Sequence, residues 1–320
     1  MKKHFLVTGG TGFIGSNLVH SLIKDGHRVR VLDNDSRGTI NRLSQIKNEI
    51  DFVVGDVRDA DLVKKACQNI DCIIHLAYIN GTGFFYSKPE LVLDVGVTGM
   101  FTIIKAGIKK NVPELFLASS SEVYATPAQI PTPESAPLII PDITNPRFSY
   151  SGGKILSELL TIHFGKKYFK RAVIFRPHNI YGPDMGREHA MPQMVLRMVT
   201  LSKKTHGTLD FPIQGTGHES RAYMYIDDAI SAIRLLLRNA KHEEIYNIGA
   251  QEETTTKQLA QEIAKILKLK IKIKSGKLQP GSPFRRVPNI YKIKSLGFIP
   301  KIKFNEGLPN VVKWYTSNYA

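Results

Sequence analysis

Phe5-Leu6-Val7-Thr8-Gly9-Gly10-Thr11-Gly12-Phe13-Ile14-Gly15 opens the chain with a short apolar run, spaced glycines and the start of a helical pattern. In a strand–turn–helix each glycine has a physical task. Gly9 permits the tight turn, Gly12 leaves bare backbone for an anion to approach, and Gly15 lets helix and strand pack closely. Amide groups at the helix start, with the positive end of its dipole, then suit a pyrophosphate. Gly9, Gly12, Phe13, Ile14 and Gly15 are therefore candidate dinucleotide-binding residues.

Outward from this loop, a second β-rich run, Arg28–Leu32, leads into Asp33-Asn34, with Asp33 lying 18 residues after Gly15. A carboxylate there accepts hydrogen bonds from the adenosine ribose and repels a 2′-phosphate, which points to NAD. Arg37 nearby keeps NADP open. Further candidate strands are 51–54, 72–77, 115–119 and 172–176, alternating with helical patterns near 13–26, 59–69, 90–110 and 150–170. Strand–helix alternation implies an α/β fold, a doubly wound parallel (Rossmann) sheet with helices on both faces. Asp56 and Val57 after the third strand, and Leu76, Ala77 and Tyr78 after the fourth, stand at carboxyl strand ends and are expected to flank the dinucleotide.

Beyond Arg176 the pattern loosens, with Pro177, Pro183, Pro192 and Pro212 breaking the chain. The helix-like 226–238 and strand-like 245–248 return to the first domain. The expected domains are therefore 1–177 plus about 226–249, which binds NAD, and a smaller substrate lobe from about 178–225 plus 250–320. A crevice between lobes at the sheet's carboxyl edge is the expected ligand site.

Composition narrows the class. The 320 residues are 42% hydrophobic and 22% charged, enough for more than one domain-sized unit. The two cysteines, Cys67 and Cys72, form no CxxC and no Cys/His cluster, so neither a disulfide framework nor a metal site is expected. The apolar run after Met1-Lys2-Lys3 is too short for a secretory segment, and no 18-residue apolar stretch is found. The chain reads as soluble and cytoplasmic. A net charge of +16 raises the question of nucleic acid. From Lys268 to Lys274, however, lysines alternate with Leu269, Ile271 and Ile273, the pattern of a half-buried strand with a solvated face. Without interleaved aromatics for base stacking, nucleic acid is not the expected partner.

Two further motifs follow the loop in order: Ser119-Ser120-Ser121-Glu122-Val123-Tyr124 and Tyr150-Ser151-Gly152-Gly153-Lys154. Tyr150 and Lys154 are four apart in a helical pattern and share a face. A phenol with pKa near ~10 is a poor base at neutral pH, and a neighbouring ammonium favours its phenolate. Ser120, at a strand end, is placed to hydrogen-bond the same substrate hydroxyl. Among 12 tyrosines, about one Tyr-x-x-x-Lys arises by chance, so the pair gains weight only from its place in this series.

Together these residues resemble the extended short-chain dehydrogenase/reductase family, specifically its NAD-dependent nucleotide-sugar epimerases and dehydratases. The resemblance spans nearly the whole chain. It takes in Arg176-Pro177-His178-Asn179-Ile180-Tyr181-Gly182-Pro183, Ser220-Arg221, Tyr225-Ile226-Asp227-Asp228, Tyr246-Asn247-Ile248-Gly249 and Arg285-Arg286-Val287-Pro288-Asn289. It implies that Ser120, Tyr150 and Lys154 are catalytic, with Tyr150 and Lys154 also against a tightly bound NAD+. Pro177 would line the nicotinamide, Ser120, Ser121 and Asn179 would meet the sugar, and Arg221 with Arg285 or Arg286 would clamp a diphosphate. The implied substrate is a nucleoside-diphosphate hexose, oxidised transiently at C4 to a 4-keto sugar. A homodimer through the helices near 90–110 and 150–170 is implied by analogy.

The resemblance leaves the outcome between 4-epimerisation and 4,6-dehydration. Glu122, read as two residues beyond Ser120 on one strand face, matches the glutamate that 4,6-dehydratases use as C5 base. Their preceding aspartate is Ser121 here. Decarboxylation is disfavoured, because Asp184 stands where those relatives hold an arginine. Gly96 replaces the family's usual asparagine, which removes a support of Lys154. A non-catalytic NAD-binding sensor, or a basic RNA-associated scaffold of the same fold, is the alternative, against which the intact Ser120/Tyr150/Lys154 set argues.

Overall fold

Six short apolar runs form strands β1 (His4–Thr8), β2 (Arg28–Asp33), β3 (Ile50–Val54), β4 (Cys72–His75), β5 (Glu114–Ala118) and β6 (Arg171–Pro177). The structure is a computed structural model and describes residues 2–204 and 207–319; Met1, Thr205, His206 and Ala320 lie outside the described residues. Every residue of β1 and β4 is buried, as expected for strands covered on both faces. The strands pair in parallel in the order β3-β2-β1-β4-β5-β6, and Glu244–Ile248 extends the sheet beyond β6. From β1 the chain builds outward to β3 on one side, and from β4 to β6 on the other. The order reverses between β1 and β4, so Thr8 and His75 flank the switch point at which such sheets bind ligands. This is the doubly wound α/β architecture implied by the strand–helix alternation.

Helices Phe13–Lys24, Ala60–Ala66 and Phe148–Tyr168 carry three of the expected helical patterns. The fourth is a continuous helical run, Pro89–Lys109, with one wider turn at Asp94–Thr98. It corrects the expectation that no apolar stretch is long enough to span a membrane. By length and composition the run suffices, with a mean hydropathy of 1.7 over 18 residues, because Asp94 and Lys105 interrupt it without lowering the average enough. Its Met100, Ile103 and Ile104 are fully buried in the core with Leu6, Leu32, Ile73, Leu115 and Leu117, which gives the apolar face an occupant inside the fold. Cys67 and Cys72 are buried free thiols.

The chain divides into two compact units: Met1–Val123, Leu138–Pro177 and Ile230–Tyr246 form one, and Tyr124–Pro137, His178–Ala229 and Asn247–Ala320 the other. The stretch 124–137, assigned to the first domain from sequence, clusters with the second unit. Backbone pairing explains this: Thr132 N donates to Val287 O and Asn289 N to Thr132 O, each at 2.8 Å. In the same unit Ile271–Lys274 pairs in parallel with Leu209–Pro212. Its isoleucines are half-buried and its lysines exposed, the alternation read from sequence. Lys274 pairs with Asp210 at 3.4 Å.

Candidate active site

The turn after β1 is shaped by close backbone approach. Gly9 has φ +71°, and a Cβ on it would sit 2.6 Å from Ala77 N; a Cβ on Gly15 would collide with the Gly9 carbonyl. Either substitution would displace backbone. At Gly12 an added Cβ would meet only Gly9 O, at 3.1 Å, so the loop is open on that side. Gly12 is also the N-cap of helix Phe13–Lys24, and no side chain caps the helix there. First-turn amides without a side-chain cap, at the positive end of a helix, are suited to an anionic diphosphate. The cradle therefore fits a dinucleotide.

Asp33 closes β2. Its Oδ2 accepts the Thr11 N–H and its Oδ1 the Asp35 N–H, both at 3.0 Å. A carboxylate offers about four acceptor sites, so Asp33 secures the glycine turn and keeps capacity for a ribose diol. Arg37 is engaged elsewhere: it donates to Asn80 O at 2.6 Å and lies 4.4 Å over the Phe84 ring. Asp56 accepts from Asn34 Nδ2 and is gripped by Arg58 at 2.7 Å, which holds its carboxyl below the usual range. Val57 is buried in the core beneath Gly99, so only its backbone is left to face a ligand. Leu76 and Ala77 donate from their backbones to Thr8, the latter to its Oγ1. That hydroxyl also meets Nδ1 of His75 at 2.7 Å, and burial drives the His75 pKa down to about 3, leaving it neutral.

Helix Phe148–Tyr168 carries Tyr150 and Lys154 one turn apart, both buried. The Tyr150 ring stacks on Phe85 at 4.8 Å and meets Tyr78 edge-on at 5.0 Å. Lys154 Nζ donates to Ala118 O at 2.6 Å and lies 3.9 Å from the Tyr78 ring centroid and 5.9 Å from that of Tyr150. Burial lowers the Lys154 pKa to about 7, opposed by the charge of Glu158 one turn on. Ser120, just beyond β5, is half-buried. The structure thus brings Tyr150, Lys154 and the carboxyl end of β5 together.

The reading of Glu122 as a strand residue on the same face as Ser120 is corrected. β5 ends at Ala118, and Ser121–Tyr124 is a 3-10 turn. The cause is local: Ser120 Oγ accepts the Glu122 N–H at 3.2 Å, so a side chain takes a donor that a strand ladder would use. Glu122 forms an ion pair with the buried Arg147 at 3.5 Å, and Ser121 is buried. Sequence reasoning also passed over Glu158. Its two oxygens accept from Arg176 Nε at 2.8 Å and Nη2 at 2.6 Å, and the Ser119 hydroxyl donates to it as well. The i, i+4 spacing of Lys154 and Glu158 was the available signal.

In the second unit, Asn179 holds φ +43° and donates from Nδ2 to Ala222 O at 3.2 Å. Neighbouring His178 is fully buried against Asn247 Oδ1, which also accepts the Tyr124 hydroxyl at 2.9 Å. Arg221 donates to the carbonyls of Ser220 and Pro283 at 2.7 and 2.8 Å. Arg285 and Arg286 alternate as strand residues do: Arg285 is exposed and paired with Glu253, and Arg286 is buried. Pro177 ends β6, half-buried. Among the described residues no group of three or more His, Cys, Asp or Glu is placed to hold a metal ion.

Comparison with known proteins follows the same lines. The profile of a family described as the NAD dependent epimerase/dehydratase family matches residues 5–249. The chain is 28% identical over 331 residues to dTDP-D-glucose 4,6-dehydratase of Bos taurus, covering 99% of this chain and 90% of that protein. It is 30% identical over 318 residues to a putative UDP-glucose 4-epimerase of Methanocaldococcus jannaschii, covering 98% of each. Among solved structures, a dTDP-glucose 4,6-dehydratase from Streptomyces venezuelae with NAD bound superposes with a TM-score of 0.87 at 28% identity, covering 98% of this chain and 97% of that one.

Proposed function

The chain belongs to the NAD dependent epimerase/dehydratase family, and from that premise we propose that it is a nucleotide-sugar 4-epimerase working through Ser120, Tyr150 and Lys154. When bound, NAD supplies a hydride acceptor and donor for C4 of the sugar. Gly9, Gly12, Phe13, Ile14 and Gly15 hold its diphosphate, and Asp33 its adenosine ribose. Tyr150 takes the proton of the C4 hydroxyl and returns it, Lys154 favours the phenolate that does so, and Ser120 hydrogen-bonds the same oxygen. Asn179, Arg221 and Arg286 are the proposed substrate residues of the second unit. Arg286 is preferred to Arg285, whose guanidinium is paired with Glu253 in solvent.

One observation carries the choice of epimerisation. Loss of water needs a base at C5 and an acid for the departing hydroxyl, whereas Ser120-Ser121-Glu122 contributes one carboxylate, ion-paired to Arg147, with buried Ser121 before it. That single carboxylate is also what favours the second reading, a 4,6-dehydratase with Glu122 as base. Incubation with UDP-, dTDP-, GDP- and CDP-hexoses, read by mass spectrometry, separates the two. An isobaric product with a new retention time supports the epimerase; loss of water, abolished in Glu122→Gln, establishes the dehydratase instead. A homodimer and a reducing, cytoplasmic setting complete the proposal. Partly exposed Leu93, Leu156 and Leu159 on the two long helices suit the first, and the free thiols suit the second.

A further inference from the structure

Among the described residues, the ammonium of Lys154 has one hydrogen-bond acceptor, the carbonyl of Ala118. An ammonium carries three donors and is costly to bury without compensation. The compensation here is aromatic. Nζ lies 3.9 Å from the Tyr78 centroid, well within the roughly 6 Å reach of a cation–π contact, and is 5.9 Å from the Tyr150 centroid. Tyr78 in turn touches Tyr150 edge-on.

The place of the Tyr78 ring depends on two missing side chains. A Cβ at Gly96, or one at Gly153, would fall on the Tyr78 hydroxyl. Gly96 is where the family resemblance puts an asparagine, and the Tyr78 phenol fills that space instead. The hydroxyl has no hydrogen-bond partner among the described residues, so the side chain acts through its ring. The sequence expectation, in which Tyr78 flanks the dinucleotide, did not include this contact with Lys154.

We propose that Tyr78 is a positioning residue: the face of its ring holds the Lys154 ammonium beside Tyr150, in space that Gly96 and Gly153 leave open. The inference rests on reading Tyr150 and Lys154 as the proton-transfer pair. Residues 78, 96 and 153 form one steric unit, in which a large ring at 78 requires glycine at the other two.

The test needs no substrate. Near-ultraviolet phenolate absorbance is followed against pH in the full-length protein with NAD+ added, for wild type, Tyr150→Phe, Tyr78→Leu, Tyr78→Phe and Gly96→Ala. A transition present in wild type and missing in Tyr150→Phe belongs to Tyr150. Tyr78→Leu weakens the hold on the ammonium, and the Tyr150 transition moves to higher pH by about one unit, the size expected for one desolvated cation–π contact. Tyr78→Phe keeps the ring and brings the transition back towards wild type. Gly96→Ala pushes the ring aside and moves it as Tyr78→Leu does, which covers failure of the leucine variant to fold. If wild type shows no Tyr150-dependent transition below about pH 10, the proton-transfer reading itself fails. If that transition exists but stays in place in Tyr78→Leu or Gly96→Ala, or if Tyr78→Phe matches Tyr78→Leu, the role of Tyr78 alone is overturned.

Discussion

Glu158→Gln is the substitution with the most calculable consequence. Glu158 and Arg176 are each only 2% exposed and are joined by two N–H···O bonds of 2.8 and 2.6 Å. Glutamine keeps the shape and one acceptor oxygen but removes the charge, so the buried Arg176 guanidinium loses the carboxylate that faces it. Breaking a buried pair from one side costs about 3–5 kcal/mol. Against a total stability of about 5–15 kcal/mol, that is a large share. Removing both charges is different, because the desolvation cost of each disappears with it; Glu158→Leu with Arg176→Met should recover most of the loss. Urea unfolding of wild type, Glu158→Leu, Arg176→Met and the double variant forms a thermodynamic cycle, with Glu158→Gln measured beside it. The expected coupling is about 2 kcal/mol or more in favour of the pair. A Glu158→Gln loss below about 1 kcal/mol, with no recovery in the double variant, would refute the view that these charges are a desolvated unit.

Three further outcomes are expected. Tyr150→Phe should lower turnover by about 10²–10⁴-fold while leaving NAD content unchanged, because the ring keeps its stacking on Phe85; steady-state rates and cofactor quantification check both parts. Lys154 should make stability depend on pH in a defined window. Its folded pKa is about 7 against an ordinary 10.5, so between those values the unfolded chain binds the extra proton and stability rises with pH. Lys154→Met should therefore gain most over wild type below about pH 7 and lose that advantage towards 10.5, by unfolding at several pH values. Gly15→Ala should destabilise the protein by about 1–3 kcal/mol and weaken NAD binding, measured by calorimetry, since its Cβ meets the Gly9 carbonyl and backbone cannot yield cheaply.

Much of the fold was legible because its signals are local. Continuous apolar runs became the buried β1 and β4, and the glycine turn lies between β1 and helix Phe13–Lys24, as the spacing implied. Tyr150 and Lys154 fall one turn apart on a single helix for the same reason. The misreadings arose where side chains competed with backbone regularity or where averages hid a pattern. Ser120 Oγ takes the Glu122 N–H and ends the extended conformation, which alternation alone does not reveal. The membrane-length apolarity of Pro89–Lys109 was missed because isolated charges break the run without changing its mean.

Local periodicity and backbone preference, both written in neighbouring residues, determined from sequence alone the strand–helix alternation, the dinucleotide turn and the order of the candidate motifs. Only tertiary structure decided that Arg286 is buried and Arg285 exposed, that Glu158 pairs with Arg176, and that Tyr78 lies over Lys154 between two glycines distant in the chain. Burial and desolvation set those relations, and they come into being only when remote segments pack together.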